Sequence, residues 1–522
     1  MFPQNRPVSR KEIFDDYVEH SSVLGLIFLK KSWASYFWRA IWLIALAAAW
    51  GVSVYQVILV FQKYFQYNTF TQVKIAHATE AKFPAISVCN LNPVRAEFLK
   101  QNQKEFDDLI RLIEFAKKAS QPQPGMPAPP TELENLTIAE ALNYMTNLSS
   151  SLINSYTLYK MSKGKFNISE AGHRIEDMLV ECEFQGQLCH VENFTQWHSP
   201  VYGNCYTMVI PPPHKAFIGP DFGLKLILFA ELQQYIKLVT PDTGFRITIH
   251  PETYIPFPQD QGFSVATGTT TSVAMKELRI ARQPWPYDGT ECLNKLSTGN
   301  YFEFWQDVLD RQTEKRRINH TNLACLKSCY VELLQKHCNC FDPLVITFQQ
   351  AKRYGKAAVP EPCSRSDPAQ RDCLTLPCFE RSFSTKVTSA GWPNKEYYDT
   401  MISVWKQRIS TDRLDPQDRD EAREVLTRLE IFFEELNFES VEEVPGMDVW
   451  DLLSSIGGVF GLWSGVCFLT FLEFIQLCYK LFSGPRKHFQ TTVSDKHKAL
   501  GVANDTDRFG CGVTPPMPKY VA

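Results

Sequence analysis

The chain has 522 residues, of which 44% are hydrophobic and 13% aromatic, enough apolar material for several domains. Lys+Arg number 54 against 57 Asp+Glu, and the net charge of -3 excludes a globally basic nucleic-acid binder and a strongly acidic solvating chain. A mean hydropathy of -0.22 excludes a protein with most of its mass in lipid, and 25 Gly with 32 Pro exclude collagenous and low-complexity classes.

In chain order, residues 1–39 form an N-terminal segment, and Ala40 to Gln62 then carries no charge. A bilayer core of ~30 Å takes ~20 apolar residues as a helix, so 40–62 is read as a first transmembrane helix. Trp33, Trp38 and Trp42 at one end and Tyr55 and Tyr64 at the other fit an interfacial aromatic belt. The alternative is a buried core helix. A cleaved signal peptide is not expected, because the segment starts far from Met1 and no small-residue cleavage site follows it.

Residues 63–448 hold twelve of the 15 cysteines: Cys89, Cys182, Cys189, Cys205, Cys292, Cys325, Cys329, Cys338, Cys340, Cys363, Cys373 and Cys378. An even set of this size points to disulfides in an oxidising compartment. Cys467, Cys478 and Cys511 are expected as free thiols. Sequons at Asn135, Asn147, Asn167, Asn193 and Asn319 agree with an extracellular, glycosylated segment. Cys325/Cys329 with Cys338/Cys340 could ligate zinc, but the compartment favours disulfides, and no metal or other cofactor is expected.

The elements read as α+β. Residues 97–118 and 301–340 are predicted helical, with Cys325 and Cys329 one turn apart, and 121–130 is a Pro-rich loop. Leu224–Phe229 and Phe245–His250 are predicted strands, 413–430 a charged helix, and Ile431–Val444 a strand. Neither a P-loop nor a G-x-S-x-G, H-E-x-x-H or kinase motif is present, and His77, His173, His190, His198 and His250 lie beside no obvious nucleophile, so no enzyme is expected.

Residues 449–482 form a second apolar segment interrupted by Asp451 and Glu473 and carrying Gly457, Gly458, Gly461 and Gly465. An ionisable residue inside a span is a functional-site hypothesis, and small residues permit a bent or non-helical stretch that lines a cavity. Lys30, Lys31 and Arg39 precede the first span, Lys480, Arg486 and Lys487 follow the second, and acidic Glu442, Glu443, Asp448 and Asp451 flank its other side. The positive-inside rule puts both termini, including the tail 483–522, in the cytosol of a plasma-membrane protein.

Along nearly its whole length the chain resembles the epithelial sodium channel / degenerin / acid-sensing channel family, and within it an invertebrate peptide-gated member. The resemblance is carried by Phe83-Pro84-Ala85-Ile86-Ser87-Val88-Cys89-Asn90-Leu91-Asn92, Gly203-Asn204-Cys205-Tyr206-Thr207, Thr243–His250, Cys325–Cys340, Cys373–Cys378 and Trp392-Pro393. Ile431–Asn437 and Gly457–Glu473 complete it. It implies a hand-like, disulfide-rich ectodomain and a homo- or heterotrimer with two transmembrane helices per chain. It also implies a sodium-conducting, amiloride-sensitive cation pore lined by the second span. The family's G-x-S filter falls on Gly465, Val466 and Cys467, with Cys in place of Ser. Its His-Gly re-entrant motif falls on Leu24 and Gly25, without the His. The resemblance further implies the disulfides Cys89–Cys205, Cys182–Cys189, Cys292–Cys378 and Cys325–Cys373, and leaves Cys329, Cys338, Cys340 and Cys363 unassigned.

On this reading Asp448, Asp451, Ser454, Ser455, Gly457, Gly458 and Gly461 belong to the pore and its outer mouth. Glu473 either adds negative potential to the pore or pairs with Lys480. Gating passes through Tyr67, against which Tyr287 or Trp285 packs. The partners are sodium and other monovalent cations, the lipid bilayer and an extracellular ligand, either a peptide or protons; nucleic acid is not among them. Constitutive activity is an alternative. Two rivals share the two-span topology. A scavenger-type lipid receptor has no use for Glu473 or the glycine series, and an ATP-gated trimer would need clustered ectodomain lysines that are not seen.

Overall fold

The computed structural model describes residues 9–21, 36–78, 81–107, 109–111, 168–210, 216–236, 240–287, 304–311, 321–338, 376–408 and 419–482, with shorter stretches between them. The chain divides into two compact units. One comprises Met1–Gln62 with Val449–Ala522, the other Lys63–Asp448.

In the first unit the uncharged run folds as one helix, Tyr36–Phe65, four residues longer at its start and three at its end than the expected span. At 1.5 Å per residue it is ~45 Å long. It is not a buried core helix. Ser53 is its only buried residue, and Leu43, Ile44 and Tyr55 are all at least 60% exposed. A helix that shows such side chains to its surroundings needs an apolar solvent. By length and composition it can cross a membrane; the pair Val449–Ser464 and Phe468–Phe482, bent by 72°, qualifies as a second span only if counted as one. A further helix, Arg10–His20, opens with a capping box between Ser9 and Glu12.

The second unit is built from two sheets. Its strands are β1 (Thr69–Ala76), β2 (Ala85–Asn90), β3 (Leu179–Phe184), β4 (Gln187–Leu188), β5 (Phe194–Ser199) and β6 (Gly203–Met208). They continue with β7 (Leu224–Phe229), β8 (Gly244–His250), β9 (Phe263–Ala266), β10 (Thr269–Ala281), β11 (Phe379–Gly391) and β12 (Leu426–Pro445). The larger sheet runs β11-β10-β12-β7-β3-β4, with β1 also paired to β12; the smaller runs β5-β6-β2-β8-β9. Among the described residues of these two sheets, only β10 and β12 pair in parallel. Their inner faces share one core, in which Ile86, Val88, Tyr206, Phe245 and Ile247 of the smaller sheet join Leu224, Leu226, Leu228, Val273, Leu429 and Ile431 of the larger.

β7 reads LKLILF and is buried on both faces. Leu224, Leu226 and Leu228 enter the shared core, while Ile227 and Phe229 pack with Trp392, Tyr398 and Trp405 under the helix Lys395–Arg408. Each such side chain contributes about 1.5–3 kcal/mol by leaving water. The outer face of the smaller sheet meets the helices Phe304–Asp310 and Asn322–Cys338 through Trp197, Trp305, Val308 and Val331.

The bridges Cys89–Cys205, Cys182–Cys189 and Cys292–Cys378 are present. Cys89 and Cys205 face each other across the β2–β6 ladder. Cys329 and Cys340 are each disulfide-bonded as well, and a thiolate in a disulfide cannot ligate zinc. Cys363 and Cys373 lie outside the described residues. Gly203 of the G-N-C-Y-T run sits at φ +68, and a Cβ there would run into the carbonyl oxygen of Pro93.

Several expectations are corrected. The helix expected at 97–118 is interrupted: Ala96–Gln101 is helical, turns follow, and residues 107 and 109–111 are helical again, while the residues after 111 lie outside the described set, as does the Pro-rich loop at 121–130. The helix expected over 301–340 divides in two, and Cys340 belongs to a short strand. The helix expected at 413–430 is described only as Arg419–Val425, and the strand expected from Ile431 begins at Leu426. Leu426–Ile431 fits between β7 on one side and β10 on the other, and two ladders outweigh the helical charge spacing of the segment.

The lower part of the larger sheet is tied by charge. Glu277 is 5% exposed and accepts from Arg279 Nε (2.6 Å) and Arg381 Nε (2.7 Å). Burial alone would raise its carboxyl, but hydrogen bonds from Arg381 and Arg279 outweigh burial and hold it below its ordinary value. A depressed folded-state value stabilises the fold above the unfolded carboxyl pKa of about 4.3, and this contribution fades as pH falls through the folded value. Glu277→Gln should therefore lower the melting temperature of the detergent-solubilised protein at pH 7, with the gap to wild type closing below about pH 4. Equal melting temperatures at pH 7 would refute the assignment.

Candidate functional site

The candidate site is the second apolar segment, and its geometry starts from one backbone angle. Val449–Ser464 is helical, the next three residues are not, and Phe468–Phe482 is helical again. Gly465 sits at φ +67 and donates its N–H to Gly461 O (3.2 Å), the ordinary way in which a glycine ends a helix. Cys467 then caps the next half-helix. Its N–H donates to Thr470 Oγ1 (3.1 Å), and its carbonyl accepts from Phe471 N (3.3 Å). The Gly465-Val466-Cys467 tripeptide is thus the break itself, and Cys467 and Cys478 are free thiols.

The first half-helix has two opposed faces. Phe460 lies 6.0 Å from Trp50 between ring centroids, and Trp463 Nε1 donates to Gln56 Oε1 (2.9 Å), so this side packs on the helix Tyr36–Phe65. Asp451, Ser454, Gly458, Gly461 and Gly465 follow i, i+3, i+7, i+10, i+14 spacing and fall nearly opposite. Ser455 and Gly457 flank this stripe. A Cβ at Gly457, Gly458 or Gly461 would meet nothing within 4 Å. Asp451 and Ser454 are exposed, as is Asp448 at the end of the other unit.

Glu473 is half-buried on the second half-helix. The helix Arg10–His20 lies against this half-helix, and the two enclose a cavity of about 190 Å³ lined by Asp16, His20, Glu473, Gln476 and Lys480 among others. Lys480 Nζ pairs with Asp16 Oδ2 (3.9 Å), and Asp16 Oδ1 lies 3.3 Å from His20 Nδ1. Lys480 thus has Asp16 as a charge partner across the two helices. Nothing in the local sequence marks Asp16, because the contact joins residues more than 450 apart. Thr470 was also missed, although a hydroxyl three residues after a helix start is a capping signal. Leu24 and Gly25 lie outside the described residues.

In the other unit Tyr67, at φ +49, meets Tyr287 edge-on at 5.8 Å between centroids, and Tyr64 and Phe65 join the same aromatic cluster. Trp285 is 82% exposed and takes no part. Gln283 anchors the loop: its N–H donates to Glu443 Oε2 (3.0 Å) and its Nε2 to Glu443 O (2.8 Å). Asn193 and Asn319 are exposed, whereas Asn135, Asn147 and Asn167 lie outside the described residues.

Comparison with known proteins agrees with this architecture. The profile of the family described as amiloride-sensitive sodium channels matches residues 17–477. Acid-sensing ion channel 2 of Rattus norvegicus is 26% identical over 462 residues, covering 85% of this chain and 81% of that protein. The epithelial sodium channel subunit alpha of Xenopus laevis is 23% identical, covering 90% and 81%. The FMRFamide-activated amiloride-sensitive sodium channel of Cornu aspersum is 21% identical, covering 85% and 79%. These matches remove the scavenger-receptor and ATP-gated readings and place the protein among ion channels, not enzymes. The chain belongs to the amiloride-sensitive sodium channel family, the group that holds the epithelial sodium channels, degenerins and acid-sensing channels.

Proposed function

We propose that the chain is one subunit of a trimeric, sodium-selective cation channel of the plasma membrane, with both termini in the cytosol. It is opened through its ectodomain by an extracellular ligand, a peptide or protons, and blocked by amiloride. The observation that carries the reading is the break at Gly465–Cys467 combined with a glycine, serine and aspartate stripe facing away from the packed side of the same half-helix. Irregular backbone at membrane depth is tolerated where it lines a cavity or is buried in protein. Three copies around an axis would turn the stripe inward. The last carbonyls of a helix carry partial negative charge and can replace part of an ion's hydration shell. Asp448 and Asp451 would concentrate cations outside, and Glu473 would add negative potential further in.

The test is voltage clamp with sodium–potassium exchange, amiloride, and a screen of acid and peptides. An L-residue in the left-handed region costs about 1–2 kcal/mol, comparable to the ~1.4 kcal/mol that changes relative occupancy tenfold. Gly465→Ala should therefore reduce sodium current or shift the reversal potential while surface abundance stays near wild type. Cys467→Ser should be the best tolerated change at that position. An unchanged current and reversal potential in Gly465→Ala would place the filter elsewhere.

Gating is proposed to pass through the Tyr67–Tyr287 contact. An edge-on aromatic pair is worth ~0.5–1.5 kcal/mol beyond its buried area. Tyr67→Ala and Tyr287→Ala should each lower the maximal current by up to about tenfold with the protein still at the surface. Normal maximal current in both would show that the contact transmits nothing.

A further inference from the structure

Exposed apolar side chains gather at one end of the unit Lys63–Asp448. Trp285 is 82% exposed, Phe65 61% and Phe379 58%. A single exposed apolar residue needs no partner, but several at one place mark a surface that meets something. We propose that this end is a foot resting on a phospholipid bilayer, with the Trp285 indole inserted among the headgroups. It rests on the reading of Tyr36–Phe65 as a membrane-spanning helix and adds to it a second contact with lipid, carried by a loop.

Strand direction puts the three side chains at that end. β10 runs parallel to β12, with Ala281 opposite Glu442. The chain after β10 therefore heads the same way as β12, which ends at Pro445, shortly before the apolar helix that starts at Val449. Gln283 is held beside that strand end, its N–H donating to Glu443 Oε2 (3.0 Å) and its Nε2 to Glu443 O (2.8 Å). Trp285 lies two residues further on. Phe379 opens β11 opposite Ala281, at the same end. Phe65 is the last residue of the helix Tyr36–Phe65. Its ring lies 6.2 Å from that of Tyr67, and Tyr67 meets Tyr287 at 5.8 Å. The loop that carries Trp285 is thus one aromatic contact away from the point where the first apolar helix ends.

A tryptophan suits this partner. Its ring is apolar and its N–H polar, and such side chains collect where hydrocarbon meets headgroups. Pro284 fixes its own φ and Pro286 restricts the backbone of Trp285, so little freedom is lost when the indole settles. The nearby charge is already matched. Arg282 donates to Pro377 O (3.0 Å) and to Glu380 Oε2 (3.2 Å), so its guanidinium does not call for an anionic lipid. The occupant is therefore a zwitterionic leaflet, held by aromatic insertion and not by charge. A second copy of this chain is the other surface that could cover the foot. Continuity favours lipid, because Phe65 belongs both to the membrane-length helix and to the foot. Tyr287 rides on the same loop, so its approach to Tyr67 is set relative to the bilayer surface.

Purified full-length protein and its Trp285→Phe variant would be placed in nanodiscs of phosphatidylcholine, plain or brominated near the top of the acyl chains. Bromine quenches an indole only at close range. The chain has 11 tryptophans, and subtracting the variant's emission from that of wild type isolates Trp285. Brominated lipid is expected to remove at least about half of this difference emission, as for an indole in the interfacial belt. A difference emission untouched by brominated lipid overturns the foot, and iodide in the buffer then tells whether water or a second copy covers Trp285. The emission that remains in Trp285→Phe reports on the spanning helix, which carries Trp38, Trp42 and Trp50. Quenching of that remainder without quenching of the difference refutes the foot alone; quenching of neither refutes both. Trp285→Tyr, which also keeps an aromatic ring, takes the place of Trp285→Phe if the latter does not elute as wild type.

Discussion

The ladder between β1 and the end of β12 is the constraint on which the larger unit depends where its chain runs on into the apolar helices. Thr69 pairs with Pro445, and the register runs unbroken to Ala76 opposite Phe438; Gly446 N–H also donates to Asn68 O (2.7 Å). These two strands continue covalently into the apolar helices, so the two ends of the unit Lys63–Asp448 are hydrogen-bonded to each other. β1 has no other strand partner among the described residues, and most of it is exposed on both faces, which leaves its position to this ladder. β12 is also the strand that pairs with β10 and β7, and Leu429, Ile431 and Phe433 carry it into the main core. A displacement at its far end is thus resisted by close-packed side chains and cannot dissipate locally.

Charge and aromatic contacts reinforce that ladder at its open end. Lys74 pairs with Glu442 (2.9 Å), and Gln283 binds both the side chain and the carbonyl of Glu443. The surface ion pair contributes little by itself. Held next to Gln283, however, the Pro284–Tyr287 loop presents Tyr287 to Tyr67. A left-handed tyrosine is an unusual conformation, sustained only where its surroundings over-determine it. The aromatic cluster of Tyr64, Phe65, Tyr67 and Tyr287 supplies those surroundings.

The second apolar segment is held by different interactions. Its break is closed on both sides by short-range hydrogen bonds, Gly465 to Gly461 and Cys467 to Thr470, so the irregular backbone leaves few orphaned groups. The second half-helix is then covered by the helix Arg10–His20, which buries Leu477 and brings Asp16 and His20 into one cavity with Glu473 and Lys480. Carboxylates and a lysine in one cavity offset one another's desolvation, which an isolated glutamate at that depth could not do.

Much of this was legible in the sequence wherever the cause is local. An uncharged run of ~20 residues suffices for a membrane-length helix, because hydrocarbon burial depends on composition and length. The break was legible as a glycine in an apolar span, since glycine alone takes φ +67 without strain. Alternation and branched residues identified both β7 and β8 as strands. The hydrogen-bonded pairing of β10 with β11, distant in sequence, was not legible, because neither strand shows its partner in its own pattern. The same holds for the change from helix to strand at Leu426, decided by ladders to β7 and β10, and for the Tyr287 rather than Trp285 contact. Asp16 beside Lys480, and Phe379 at the same end of the larger unit as Trp285, are likewise set by folding. Sequence determines what each segment can be on its own, through backbone preference and periodicity. Tertiary structure decides which distant segments share a hydrogen-bond ladder or a cavity, because those free energies belong to pairs of segments and to neither one alone.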